Sequence, residues 1–353
     1  MNRIDNLDAL RALAALSVFF YHIAEVAGNP FHNFFNMGGI GVDLFFVLSG
    51  FCIGMSVIRS QEWCWKNFAR KRFLRLAPAY YFSILIIVLL LMPELLFNRT
   101  GYLDIFTHLT FIHTYSYQTH GSINGVYWSL GVEASFYVLM ALSAVFLRDS
   151  RKIWPTLALW IIISWTWRYI IATEIEAIPI YKFILSTQLI GTLDAFAFGV
   201  MVAKLTTIER VSSKLFQPNP ALALLIGSLI LLYLYQNFGR SPNYWDSAKH
   251  TVLFRSMLAF TFSLLIIAFI GCSKIKFLTQ TMHYSGLLYL GKISFGIYLF
   301  HLPLMRIMTD KGLFNSDSNY YAGFVCLLFT IIFGSLSYHL VEKRFYPRLT
   351  TIA

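Results

Sequence analysis

The chain has 353 residues and a formal net charge of +11, and 57% of its residues are hydrophobic whereas only 13% are charged. Soluble domains carry roughly 25% charged residues, so this composition and a mean hydropathy of +0.62 exclude a water-soluble protein with one core. The positive charge is typical of nucleic-acid-binding proteins or of membrane proteins with basic loops, and the apolar runs described next favour the membrane.

Long apolar runs recur along the whole chain, and a helix needs about 20 such residues to cross a bilayer. Runs such as 81–91 and 222–234 are continuous rather than alternating, which excludes the strands of a β-barrel. The sequence therefore predicts an all-α, polytopic integral membrane bundle that forms one domain over residues 1–353. About ten spans are predicted, at 7–27, 39–58, 76–97, 126–147, 153–172, 186–204, 220–238, 253–271, 287–308 and 320–341.

Lysine and arginine are distributed unevenly between alternate connections. If the N-terminus is cytoplasmic, 18 of these residues lie in inside segments and 5 lie in outside segments. Cytoplasmic loops of membrane proteins carry such an excess. We therefore expect both termini on the cytoplasmic side, and the lipid bilayer rather than a nucleic acid explains the net charge.

The four cysteines are Cys52, Cys64, Cys272 and Cys326. Their spacing is neither paired nor that of metal ligands, so we expect no structural disulfide and no metal site. The longest connection, about 98–125, is rich in His and Tyr. Its rings are typical of an interfacial aromatic belt, and a surface on which a sugar stacks is the alternative.

Ionisable side chains inside the predicted spans are costly unless they are paired or hydrated, so they mark candidate functional groups. On the first helix, Arg11 and His22 are eleven residues apart and share one face. Asp43 and Glu133 begin spans predicted to enter from outside, and His301 lies far along a span predicted to enter from inside. These depths bring the last three residues to the level of His22. Each could instead be a hydrogen-bonded packing residue, and Asp43 could cap its helix.

Four basic residues lie around the start of the third span: Arg70, Lys71, Arg72 and Arg75. Such a run could simply anchor the helix at the cytoplasmic surface. Guanidinium groups also bind phosphate through two hydrogen bonds, and a helix N-terminus adds positive potential. The run therefore also fits a phosphate-bearing cosubstrate that arrives from the cytosol.

Five segments resemble, in order, the motifs of the acyltransferase-3 family. They are Arg11 with His22 (R-x10-H), 41–51 (GVDLFFVLSGF), 71–78 (KRFLRLAP), 128–137 (WSLGVEASFY) and 294–301 (SFGIYLFH). Lys71 stands where the family has arginine, Phe295 replaces a tyrosine, and 341–345 (VEKRF) is similar to the closing element. The resemblance covers nearly the whole chain and implies the stand-alone form, without the SGNH esterase-like domain of many members.

The resemblance implies a membrane-bound O-acyltransferase in the inner membrane of a bacterium. Such an enzyme moves an acyl group, usually acetyl, from cytosolic acyl-CoA to a hydroxyl of an extracytoplasmic glycan, such as the O-antigen of lipopolysaccharide. Acetyl-CoA is then a cosubstrate, and no cofactor is bound permanently. Its phosphates would dock at Arg70, Lys71, Arg72 and Arg75.

The mechanism we expect is general-base catalysis by His22, because imidazole is a base of suitable strength at neutral pH. Glu133 or Asp43 would orient the imidazole, and either Arg11 or an aromatic donor such as Tyr137 or Trp128 would stabilise the oxyanion. Direct transfer and an acyl-histidine intermediate both fit these residues. The residues expected to bind substrate are Trp128, Tyr137, Tyr298 and His301.

A proton-coupled transporter or flippase of a glycan or lipid-linked substrate is the alternative. Such a protein would also carry His, Glu, Asp and Arg inside the membrane. The sequence contains no inverted repeat with paired broken helices, which disfavours a transporter. Strict dependence on acyl-CoA would distinguish the enzyme from the transporter.

Overall fold

A computed structural model describes residues 6–27, 38–239, 241, 244–314 and 319–345. Over these ranges the chain is helical and contains no strand, which confirms the all-α prediction. The α-helices are α1 Asn6–Ala27, α2 Gly41–Ile58, α3 Trp65–Leu91, α4 Arg99–Leu109, α5 Trp128–Leu147, α6 Ile153–Thr173, α7 Pro179–Ser186, α8 Leu189–Leu205, α9 Glu209–Leu215, α10 Pro218–Gly239, α11 Ala248–Cys272, α12 Lys276–Tyr284, α13 Leu287–Lys292, α14 Ser294–Asp310, α15 Asn319–Ser337 and α16 Lys343–Phe345.

Within the described ranges, eight helices are long and apolar enough to cross a membrane, and α7 with α8 makes a ninth if this pair, bent by 47°, is one span. The protein is therefore a polytopic membrane protein, and the N-in, C-in orientation stays a prediction. The predicted span 287–308 is divided between α13 and α14. At 1.5 Å per residue, α14 is about 26 Å long, slightly less than the hydrocarbon thickness.

Helix α3 begins earlier than the sequence predicts. Its predicted span is 76–97, whereas the helix covers Trp65–Leu91 and a 3-10 turn follows at Pro93–Phe97. Hydropathy locates only the apolar part of a helix, and lysine and arginine are good helix formers that extend it into water. The basic run therefore lies on the second and third turns of α3.

The chain forms two compact units by its internal contacts, and a single domain over 1–353 stays a prediction. The first unit is Met1–Ala14, Ile40–Trp63 and Leu142–Gly291, and the second is Ala15–Gly39, Cys64–Ala141 and Lys292–Ala353. In the first unit, α8 packs against α2, α6 and α11, and α10 packs against α11. In the second unit, α14 packs against α15 and α3.

Two glycines allow the close contact between α2 and α8 in the first unit. A Cβ on Gly50 would collide with the backbone carbonyl of Phe196, and a Cβ on Gly199 would collide with the carbonyl of Val47. Small residues let helix backbones approach closely in membrane proteins. The contact between α2 and α8 therefore tolerates no larger residue at these positions.

We expect Gly199→Ala to lower the melting temperature of the detergent-solubilised protein. The added methyl group has no room beside the α2 backbone, and overpacking typically costs about 1–3 kcal/mol. Gly227→Ala is the matched control, because a Cβ there meets nothing within 4 Å. The control should melt at or above the wild-type temperature, and equal melting of the two variants would contradict the close contact.

A proline in α14 fixes a connecting loop of the second unit. Pro303 has no backbone N–H, so the carbonyl of Leu299 lacks its usual donor within the helix. The side-chain amide of Asn124 donates to this carbonyl at 2.9 Å instead. The loop 121–125 is thereby attached to the middle of α14.

Candidate active site

A carboxylate contacts the ring of His22, near the end of α1 in the second unit. Nδ1 of His22 lies 2.9 Å from Oε2 of Glu25, one turn further along the helix. Because a carboxylate accepts hydrogen bonds, Nδ1 of the neutral ring carries the proton and Nε2 keeps its lone pair. The sequence favours Glu133 or Asp43 for this orienting role. The carboxylate on the ring is Glu25, and the three-residue spacing on one helix is the signal that would have found it.

A second imidazole lies beside the first. The ring centroids of His22 and His301 are 5.4 Å apart, and His301 is 1% exposed. Nδ1 of His301 lies 2.9 Å from the carbonyl of Tyr298 and 3.2 Å from the carbonyl of Ile297. Carbonyls only accept, so Nδ1 carries the proton. Its buried Nε2 has no hydrogen-bond partner among the described residues, so its lone pair is unused beside His22.

Polar contacts continue from the histidine pair along α14 and α5. The hydroxyl of Tyr298 donates to the carbonyl of Val126 at 2.9 Å and lies 2.6 Å from the hydroxyl of Ser129. One turn further along α5, Glu133 accepts a hydrogen bond of 2.7 Å from Tyr137. Glu133 is also within electrostatic reach of Tyr298. In the second unit, Glu133 and Tyr137 on α5 therefore lie beside α14, which carries Tyr298 and His301 and contacts His22 of α1.

The basic run of α3 divides into an inward and an outward pair. Arg72 and Arg75 are half-buried and within electrostatic reach of Tyr137, whereas Arg70 and Lys71 are exposed. The guanidinium of Arg75 lies 3.9 Å from the buried carboxylate of Glu342.

Glu342 lies in a π-helical turn, Tyr338–Glu342, that packs against α3. Glu342 offsets part of the charge of this run, and the side chains of Arg70 and Lys71 remain exposed. The run therefore keeps positive charge that can attract an anion.

Two of the predicted catalytic residues lie in the first unit, and each forms an ion pair there. Arg11 donates to Asp8 at 2.6 Å and contacts the thiol of Cys52 at 3.1 Å. Asp43 accepts a hydrogen bond of 3.0 Å from Arg255. The sequence analysis did not identify Asp8 as a partner. The catalytic roles of Arg11 and Asp43 stay predictions.

The histidines of the connection at 98–127 are packing groups of the second unit. His113 stacks on His108 with centroids 4.1 Å apart, and His120 stacks on Trp128, which is 8% exposed. Burial lowers the pKa of His113 to about 3 and that of His120 to about 4. These rings are therefore neutral at pH 7. Tyr115 and Tyr117 of the same connection remain exposed.

We expect acid to destabilise the fold through His113 and His120. Their pKa values in the folded protein lie below the ordinary 6.5, so the unfolded chain binds protons first. The free energy of unfolding should be at its full value above about pH 6.5 and should decrease as the pH drops towards 4 and 3. The decrease at about pH 5 should be on the order of 1–2 kcal/mol per ring.

A melting experiment at about pH 7.5 and about pH 5 checks this pH dependence. The melting temperature of the wild type should fall more between the two conditions than that of His120→Phe, which keeps an aromatic ring against Trp128. The same fall in both proteins would contradict the assignment to His120.

Comparison with known proteins gives one family. The acyltransferase-3 family model, described as an acyltransferase domain, matches residues 4–340. No solved structure matches the chain.

Three relatives carry informative names. The chain is 28% identical to the peptidoglycan O-acetyltransferase OatA of Listeria monocytogenes, over 96% of this chain and 55% of that protein. It is 24% identical to the O-acetyltransferase OatA of Staphylococcus aureus, over 96% of this chain and 56% of that protein. It is 23% identical to the O-acetyl transferase of Shigella phage Sf6, over 99% and 98% of the two chains.

The chain therefore spans about half the length of the two bacterial relatives and nearly all of the phage relative. Because the family model covers all but the two ends of the chain, this protein is a member of the acyltransferase-3 family.

Proposed function

We propose that this protein is a membrane O-acetyltransferase that moves an acetyl group from acetyl-CoA to a hydroxyl of a surface glycan. The observation that carries the proposal is the adjacency of His22 and His301, whose rings are 5.4 Å apart and whose contacts at Nδ1 leave a lone pair on Nε2 of each ring. The names of the three relatives support acetyl as the transferred group and, for one of them, peptidoglycan as the acceptor. The O-antigen of lipopolysaccharide or a similar surface polysaccharide is the acceptor that we propose here.

In the proposed reaction, the acceptor hydroxyl attacks the thioester carbonyl of acetyl-CoA. Nε2 of His22 takes the hydroxyl proton, and Glu25 stabilises the imidazolium through its contact with Nδ1. The new C–O ester bond replaces the C–S bond, and the proton passes from His22 to the departing thiolate. Atoms and charges therefore balance without a resident cofactor.

We place the phosphates of acetyl-CoA at the basic run of α3. Arg72 and Arg75 are half-buried and therefore partly shielded from water. A contact between opposite charges is stronger in such a place than in bulk water. Arg70 and Lys71 are exposed and would meet the anion first. Under the predicted N-in orientation this end of α3 faces the cytosol, which supplies acetyl-CoA.

The acceptor would approach from the opposite side of the bacterial inner membrane. Glu133 contacts Tyr137 on α5, and Tyr298 on α14 contacts Ser129 of α5, so both lie at the contact between these two helices. A hydroxyl donor such as Tyr298 or Tyr137 can stabilise the oxyanion that forms on the thioester carbonyl. Arg11 remains the proposed alternative for this role.

A transfer assay with purified protein tests the proposal. The wild type is incubated in proteoliposomes with acetyl-CoA labelled in the acetyl group and with a polysaccharide acceptor, and the base-labile label on the glycan is counted. We expect label that depends on both substrates. Movement of the glycan across the bilayer without acetyl-CoA and without label would instead establish the transporter or flippase.

A further inference from the structure

We propose that a pocket of about 290 Å³ in the second unit binds the sugar ring that receives the acyl group. This inference rests on the proposed function and adds a location for the acceptor. The volume lies near the lower end of the roughly 300–1,000 Å³ typical of small-molecule sites. The pocket therefore suits one sugar unit of a glycan rather than an oligosaccharide.

The pocket adjoins the histidine pair. Val26 and Met305 both line it. Each lies four residues, one helical turn, beyond one of the paired histidines, Val26 beyond His22 and Met305 beyond His301. The two rings are 5.4 Å apart, so each of these helices carries a pocket-lining residue one turn from the histidine pair. A sugar bound there would therefore lie about one helical turn from His22, the proposed base.

The lining matches the surface of a sugar ring. Arg306 and Asp310 lie on one wall with their charged atoms 4.0 Å apart, and they are 56% and 69% exposed. This loose pair has hydrogen-bonding capacity left for hydroxyl groups, since a guanidinium has five N–H donors and a carboxylate about four acceptor sites. Met305 and Leu302 offer an apolar surface to the C–H face of the ring. Recognition of a polyol by charged hydrogen-bonding groups beside an apolar wall is therefore possible at this place.

Another part of the lining is held by hydrogen bonds within the protein. It is the loop 121–125, which Asn124 attaches to the carbonyl that Pro303 leaves without a donor. The hydroxyl of Ser122 also donates to Asp104 at 2.7 Å. A wall fixed at two points loses little freedom on binding, which favours affinity for a small polar ligand.

The pocket and the proposed donor site lie at opposite ends of α3. Ile87 and Leu91 line the pocket, whereas Arg72 and Arg75 lie on the second and third turns of the same helix. A rise of 1.5 Å per residue separates these pairs by about 20 Å along the axis. The acceptor and the phosphates of the donor can therefore enter from different ends, with the histidines near the acceptor.

A kinetic experiment on the full-length protein in detergent tests the pocket. The donor is acetyl-CoA with a labelled acetyl group. The acceptors are p-nitrophenyl glycosides of glucose, galactose, rhamnose and N-acetylglucosamine, and the best of them is titrated. We expect Arg306→Ala and Asp310→Asn each to raise the KM for the glycoside by about tenfold, the loss of one charge-assisted hydrogen bond. The KM for acetyl-CoA should stay at the wild-type value.

Two controls separate binding from structure. Lys311→Ala removes an exposed charge that does not line the pocket, and it should keep both KM values. The double variant Arg306→Asp with Asp310→Arg restores the ion pair in reverse. If the ion pair only stabilised α14, the reversed pair would restore the wild-type KM for the glycoside, and that result would overturn the inference.

The outcomes distinguish the pocket from the proposed function. Label transfer by the wild type with an unchanged glycoside KM in both single variants would overturn the pocket and leave the transferase standing. The same result would follow if a lipid chain filled the pocket. No label transfer to any of the four glycosides or to polysaccharide would overturn the proposed function, and the pocket assignment with it.

Discussion

Replacing His22 with alanine should lower kcat for acetyl transfer by about 10²–10⁴-fold, the usual contribution of a general base. The substitution removes the nitrogen that accepts the hydroxyl proton, together with the contact between Nδ1 and Glu25. Single-turnover or steady-state measurement of label transfer to a glycan acceptor checks this expectation. The KM for acetyl-CoA should change little, because the basic run of α3 is untouched.

Two further variants make the assignment of the base specific. Glu25→Gln keeps an oxygen beside Nδ1 but removes the charge that stabilises the imidazolium, so kcat should fall less, by about tenfold. His283→Ala removes an exposed histidine on α12 and should leave kcat unchanged. Wild-type kcat in His22→Ala would contradict the proposed mechanism, and an unchanged kcat in Glu25→Gln would contradict the orienting role of that carboxylate.

Asp194→Asn should severely reduce the amount of folded protein in the membrane. Arg168 and Asp194 are fully buried in the first unit, and their ion pair is joined by the hydroxyl of Ser256 and the carbonyl of Gly191. Removing one partner of a buried pair leaves an uncompensated charge and typically costs about 3–5 kcal/mol. The folded fraction can be measured by fluorescence-detected size-exclusion chromatography of the solubilised protein.

A matched charge removal at the surface provides the control for Asp194→Asn. Glu174 follows the end of the helix that carries Arg168, and its side chain is exposed. Glu174→Gln should change stability by less than about 1 kcal/mol, as surface charges usually do. Equal folded fractions for Asp194→Asn and Glu174→Gln would contradict the structural importance of the buried pair.

Much of the fold could be predicted from the sequence, because the signals are local. Within the described residues, helices long and apolar enough to cross a membrane lie at eight of the ten predicted spans, and helices such as α1 and α6 begin and end within a residue or two of the predicted limits. The ends of α3 could not be predicted in this way, because hydropathy does not register a basic extension that is helical. The break between α13 and α14 lies at Ile293, inside a run that hydropathy reads as one span.

The site was less predictable, because it depends on pairing between distant segments. Depth in the membrane put His22, Asp43, Glu133 and His301 at one level, but a level does not give a lateral position, and the 5.4 Å separation of the His22 and His301 rings could not be read from it. Asp43 pairs with Arg255, which is 212 positions further along the chain, and a single sequence gives no signal for a contact over that separation. Glu25 was not predicted for a different reason. It is half-exposed near a helix end, where a carboxylate has little desolvation cost and is therefore not marked as a functional group.

The most direct test of the central proposal compares surface polysaccharide from cells that express the wild type or His22→Ala at equal levels in the membrane. Base-labile O-acetyl groups on the polysaccharide are measured by mass spectrometry. An O-acetyltransferase that depends on His22 predicts acetyl groups with the wild type and their loss with the variant. Equal acetylation by both proteins would contradict the role of His22, and no acetylation by either would contradict acetyl transfer to this glycan.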